Sequence, residues 1–80
     1  MVRPKDVQTY ISDNLPCDFI EVRGDGHHFE AVIVSPAFAG KNMVQQHQTV
    51  YGALGDRMRE EIHALSMKTY TPEQWANRKP

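Results

Sequence analysis

The hydrophobic pattern of the chain is most regular near its end. Leu65, Met67 and Thr69 alternate with Ser66, Lys68 and Tyr70, the period of two expected for a strand with two different faces. Ile62 and His63 stand at the mouth of that strand, which puts the histidine at the edge of the sheet. Thr71-Pro72-Glu73-Gln74 then reads as a helix entry. Thr71 can accept from backbone N–H groups, Pro72 fills the first helical position where no donor is needed, and Gln74 can reach back as in a capping box. The short helix that follows carries Trp75.

Upstream, Val7, Tyr10 and Ile11 recur at i, i+3, i+4, with Leu15 on the same face. They predict a helix over residues 4–14, closed by Asn14 and Pro16. Cys17 to Arg23 and His28 to Ser35 are rich in β-branched and aromatic residues, and Gly24-Asp25-Gly26 between them is a turn signal, so a hairpin is expected. The unbroken run Ala31-Val32-Ile33-Val34 suits a central strand. Ala37, Phe38 and Ala39 can form one helical turn in the connector from Ser35 to Lys41. Asn42 reads as an N-cap with Gln45 three residues on. From there a stripe of Met43 or Val44, His47, Val50, Tyr51, Leu54 and Met58 predicts one long helix to about Arg59. Gly52 and Gly55 weaken it, at about 1 kcal/mol each against alanine. Asn77-Arg78-Lys79-Pro80 reads as a frayed basic tail.

The element order is helix, strand, strand, long helix, strand, short helix. It predicts a single α+β domain over residues 1–80, with a three-stranded mixed sheet and helices on one face. In this arrangement the hairpin is antiparallel, and the long helix is a crossover that lets the third strand pair in parallel with the first.

Composition narrows the function classes. Eighty residues make one small domain with a modest core. The formal net charge of −1 argues against a dedicated nucleic-acid-binding domain, which carries a basic excess. The single cysteine, Cys17, excludes an intramolecular disulfide and a multi-cysteine zinc site, and fits a reducing compartment. No apolar run approaches the roughly 20 residues of a membrane helix, and the N-terminus lacks the apolar core of a signal peptide, so a cytoplasmic location is expected. No nucleophile-and-base signature, phosphate loop or HExxH is present, so the chain is not expected to be an enzyme.

Three segments resemble the BolA-like family: Gly24-Asp25-Gly26-His27-His28-Phe29, Val44-Gln45-Gln46-His47-Gln48-Thr49-Val50-Tyr51, and Ile62 to Trp75. With the element order they cover nearly the whole chain. The short Gly-Asp-Gly turn and the Tyr-Thr-Pro-Glu-Gln-Trp ending are most similar to the family's bacterial acid-stress group (IbaG or YrbA). The resemblance implies a class II KH-like fold and a CGFS monothiol glutaredoxin as partner. It implies a shared [2Fe-2S] cluster, with thiolates from the glutaredoxin and glutathione and histidine nitrogen from this chain. None is expected in the isolated protein, which is expected to be a monomer or weak homodimer. The histidine that opens the last strand is the family's recurrent ligand, which here is His63. The second ligand comes from the hairpin loop, which offers His27 and His28 and no cysteine. His28, beside Phe29, is the one that family members more often share; His27 lies closer to the turn apex. Which of the two serves stays open at this level.

Histidine suits such a site. Neutral imidazole binds iron, and replacing thiolate by histidine raises a cluster's potential and makes ligation sensitive to pH near neutrality. His47, on the helical stripe, reads instead as a half-buried residue with a hydrogen-bond partner, Cys17 as a small apolar strand residue, and Trp75 and Tyr70 as anchors for the last helix. The rival function is a stress-responsive, DNA-binding transcriptional regulator using Arg57, Arg59, Lys68, Arg78 and Lys79. RNA binding in the usual KH mode is disfavoured. Gly40-Lys41-Asn42-Met43 has only the first glycine of a GxxG loop, and Gly52-Ala53-Leu54-Gly55 lies in the amphipathic helix without a basic residue.

Overall fold

The computed structural model describes residues 2–78. Helix α1 spans Pro4–Asn14, with Pro4 in the first turn and the Asp6 side chain accepting from the Arg3 amide at 3.0 Å. Strands β1 (Phe19–Gly24) and β2 (His28–Val34) form the antiparallel hairpin. A short 3-10 turn (Pro36–Phe38) leads to α2 (Met43–Leu54). Helix α3 (Asp56–Glu60), β3 (Ala64–Tyr70) and α4 (Pro72–Asn77) complete the chain. The anticipated capping boxes form at both sites. Gln45 N–H donates to Asn42 Oδ1 at 2.9 Å, and Gln74 N–H donates to Thr71 Oγ1 at 3.1 Å. No helix among the described residues is long and apolar enough to cross a membrane.

The sheet order is β1-β2-β3, with β2 and β3 parallel. β3 therefore lies beside β2 and not beside β1, which corrects the pairing expected of the crossover. The reason lies in β2. Its apolar run is the least suited to an edge, and a strand on each side covers both of its backbone edges.

The expected long helix is also two helices. Gly55 adopts φ 58°, a left-handed conformation that glycine tolerates and that ends α2; its N–H donates to the Tyr51 carbonyl at 2.8 Å. The buried stripe of α2 is Gln46, Val50 and Leu54, whereas Met43, Val44 and Tyr51 are exposed. A glutamine takes the first core position because its amide is satisfied there: it donates to the Lys41 carbonyl at 2.9 Å and accepts from Thr69 Oγ1 at 2.7 Å.

The main core lies between the sheet and helices α1 and α2. Val7 and Ile11 from α1, Phe29 and Ile33 from β2, Phe38, and Val50 from α2 are fully buried in it. Each such side chain contributes about 1.5–3 kcal/mol by leaving water. On the other side of the sheet Phe19, Val34 and Tyr70 form one cross-strand row. Trp75 stacks on Phe19 and meets Tyr70 with its plane tilted by 55°, both at 5.2 Å between ring centroids. Val34 is fully buried without belonging to the main core, because this aromatic group covers it. The expectation of all helices on one face is corrected accordingly: α4 places Trp75 over the opposite face, where an apolar row needs cover. Of the basic tail, Arg78 lies over the Trp75 ring and donates to the Trp75 carbonyl, while Lys79 and Pro80 fall outside the described residues.

Candidate metal centre

The pairing of β2 with β3 decides which histidines meet. The two strands begin together, since His28 is level with Ala64. The residues just before them, His27 and His63, are therefore neighbours at the same end of the sheet. A backbone bond fixes the junction: the Ala64 N–H donates to the His27 carbonyl at 3.2 Å. The His27 and His63 rings lie with centroids 5.5 Å apart and planes at 33°, and both residues are exposed. Had β3 run parallel beside β1, His63 would stand at the opposite end, near Asp18.

The turn that presents His27 is built by Gly24, Asp25 and Gly26. Asp25 Oδ1 accepts from the His27 and His28 amides, both at 2.9 Å. These two bonds, the His28 amide first, hold the Asp25 carboxyl below its ordinary carboxylate value. Gly26 takes φ 98°. Gly24 leaves no room for a side chain, because a Cβ there would lie 2.5 Å from the His28 carbonyl oxygen and 2.6 Å from the Phe29 ring.

His28 has a different setting. As the first residue of β2 it shares a face with Glu30 and Val32, and its Nε2 lies 3.4 Å from Ser66 Oγ. The structure thus brings His27 and His63 together and turns His28 towards Ser66. His47 is half-buried on α2. Cys17 precedes β1 and donates its thiol to the Leu15 carbonyl at 3.3 Å. Burial, and then the Asp18 charge, push its pKa above the ordinary thiol value, which makes it a poor thiolate source.

The pair has dimensions that suit one metal ion. Two imidazoles bound through nitrogen at about 2.1 Å, near the tetrahedral angle, put their centroids about 5 Å apart. The observed 5.5 Å lies close to that. Among the described residues no group of three or more His, Cys, Asp or Glu side chains could hold a metal. Among the described residues, His27 and His63 are the two nitrogen donors that the structure brings together at this end of the sheet.

The basic residues expected at a DNA surface come from different elements, and Lys79 falls outside the described residues. Arg57 and Arg59 are on α3, Lys68 is on the sheet face opposite the main core, and Arg78 is stacked on Trp75. Helix α2, from Met43 to Leu54, has no charged residue at all. Neither Gln46 nor the α2–α3 break was foreseen. The spacing of four between Gln46, Val50 and Leu54 was the available sign of the first, and Gly55 of the second.

Comparison with known proteins adds the family context. The family model described as BolA-like protein matches residues 12–74. The acid stress protein IbaG of Escherichia coli K12 is 39% identical over 72 residues, covering 89% of this chain and 86% of that protein. A protein of Haemophilus influenzae named DNA-binding transcriptional regulator BolA is 43% identical over 53 residues, covering 66% of this chain and 52% of that protein. The structure of a bolA protein homologue from Coxiella burnetii superposes with a TM-score of 0.84 at 44% identity, covering 96% of this chain and all of that one.

Proposed function

The chain belongs to the BolA-like family, and from that premise we propose that it is an accessory protein of iron–sulfur cluster assembly or trafficking. In this reading a CGFS monothiol glutaredoxin is its partner and the two share a [2Fe-2S] cluster in the cytoplasm. The observation that carries the reading is the exposed His27–His63 pair, with two imidazoles at one-metal spacing and no group of three or more such ligands among the described residues. His27 and His63 would hold one iron. A histidine-ligated cluster carries electrons at a higher potential than an all-thiolate one, and its ligation responds to pH near neutrality. The chain's own part is to present two neutral nitrogens on a rigid sheet end and to leave the remaining positions open to the partner. His28, engaged with Ser66, stands outside the pair in this assignment. We read the fold as class II KH-like on the family resemblance, without the loop that KH domains use to grip a backbone.

The DNA-binding reading is favoured by the names of some relatives, such as the Haemophilus influenzae regulator. Against it stand the net charge, the scattered basic residues and the uncharged α2, since phosphate contacts need clustered Lys and Arg.

The test is reconstitution with a CGFS glutaredoxin, glutathione, iron and sulfide, followed by visible absorption and circular dichroism. The heterocomplex is expected to differ from the glutaredoxin homodimer. His63→Ala and His27→Ala should abolish the difference, and His28→Ala should preserve it. A spectrum identical to that of the homodimer sinks the cluster reading. A spectrum lost in His28→Ala but kept in His27→Ala sinks the ligand assignment.

A further inference from the structure

His63 lies on a segment with few anchors. Helix α3 follows the glycine break at Gly55 and contributes no fully buried residue; its Met58 is partly buried and packs against the core. Ile62, immediately before His63, is in the core at 4% exposure. Met58, Ile62 and the Ala64 amide, bonded to the His27 carbonyl, anchor the segment, and the turn between Met58 and Ile62 is left to other contacts.

Those contacts converge on Arg57. Its carbonyl accepts from the Glu61 amide at 2.9 Å and from the Ile62 amide at 3.2 Å. Its guanidinium lies 3.9 Å from the centroid of the Tyr10 ring on α1. It also reaches Glu61 Oε2 at 3.5 Å, while Tyr10 donates its hydroxyl to Glu61 Oε1 at 3.4 Å. The last two are long, but the three side-chain contacts close a triangle between α1 and the turn that leads into β3. A cation over an aromatic face is worth about 0.5–1 kcal/mol at an exposed site, enough to bias a short turn.

We propose that Arg57, with Tyr10 and Glu61, is a positioning latch that sets the orientation of His63 towards His27. The proposal rests on the reading of these histidines as a ligand pair. The latch touches neither imidazole. It acts by tying the turn at Glu61-Ile62 to α1, so that His63 leaves the core in one direction. His27 needs no such aid, because Asp25 and the Ala64 amide already fix its backbone.

The test is a Zn²⁺ titration of the isolated protein, followed by the imidazole nitrogen signals in NMR and by calorimetry. In the parent protein the His27 and His63 signals are expected to move together with one midpoint. Arg57→Gln keeps the helix and removes the cation; it is expected to weaken Zn²⁺ binding about three- to tenfold, less than the roughly 10- to 100-fold cost of residues bonded directly to metal ligands, because Arg57 touches neither imidazole. Arg57→Lys, which restores a cation over Tyr10, should recover most of the loss. A purely structural role would lower the melting temperature of Arg57→Gln and leave its Zn²⁺ midpoint where it was. If His27 and His63 fail to respond together in the parent protein, the ligand-pair reading itself falls. If they do respond and folded Arg57→Gln binds within twofold of the parent, the latch is refuted.

Discussion

Replacing Gly24 by alanine tests whether the hairpin end is built as tightly as the candidate site requires. The glycine's backbone is not left-handed, so the conflict is one of space alone. The new methyl would stand 2.5 Å from the His28 carbonyl oxygen, 2.6 Å from Phe29 Cδ1 and 3.0 Å from Phe29 Cα. Comfortable contacts between such atoms begin nearly an ångström further out. Phe29 cannot swing away, because it is fully buried. The His28 carbonyl also accepts from the Asp25 amide at 3.3 Å, so its movement disturbs the turn that carries His27. Forcing a methyl into a packed site costs about 1–3 kcal/mol. The lost flexibility of the unfolded chain returns about 0.4–1 kcal/mol. The net expectation is about 1–2 kcal/mol of destabilisation, or a melting temperature lower by about 4–16 °C in a domain of this size. Gly52→Ala is the control of opposite sign. That position is helical with nothing within 4 Å of the added carbon, so the change should stabilise the protein by about 0.5–1 kcal/mol. Thermal melts followed by circular dichroism measure both, and NOEs between the His27 and His63 rings report on the site. A Gly24→Ala protein that melts within about 2 °C of the parent, with those NOEs intact, would refute the reasoning.

Other outcomes follow from the same structure. Trp75→Ala removes the aromatic cover from Val34 and should cost about 2 kcal/mol in urea unfolding; a loss under about 0.5 kcal/mol would mean that the second cluster does not stabilise the fold. Gln46→Leu leaves the Thr69 hydroxyl and the Lys41 carbonyl without their partner and should cost about 1–3 kcal/mol, of which Gln46→Leu with Thr69→Val recovers a substantial part; strict additivity of the two changes counts against the bridge. The Asp25 carboxyl titrates below its ordinary value of 3.8, so its bonds to the loop amides persist above that pH and are lost as pH falls through the lowered value. The His27 and His28 amide shifts should move with a common midpoint under 3.8, and a midpoint above it contradicts the turn geometry.

The local rules of the chain were legible and the long-range ones less so. Asn42 with Gln45 and Thr71 with Gln74 cap the helices they announce, because capping is decided within four residues. The alternation in β3 places Leu65 and Met67 against the core and Thr69 on Gln46. The partner of β3 was not legible from its own residues, since a two-faced strand pairs equally well on either side. The continuous run in β2 held the answer, and it outweighed the simplest crossover. The same gap blurred the site. His28 carried the stronger family resemblance, yet register puts His27 beside His63, and register is a property of two strands at once. On α2 the expected stripe found Val50 and Leu54 but also took in the exposed Met43, Val44 and Tyr51 and missed Gln46, because a hydropathy pattern does not register a glutamine whose amide nitrogen and oxygen both have partners.

The crossover from β2 to β3 also has a kinetic meaning. The hairpin and the capped helices depend on contacts close in sequence and can form early. The parallel pairing must wait for α2 and α3 to fold back, because closing a long loop loses entropy before its contacts repay it. His27 and His63 come from the two sides of that closure. A chain still in the act of folding, or one that has lost β3 by fraying, holds one imidazole or the other but never the pair. On the proposed reading of these histidines as a ligand pair, metal affinity would be a quality check on the completed fold, and a bound metal would in turn lock β3 in place.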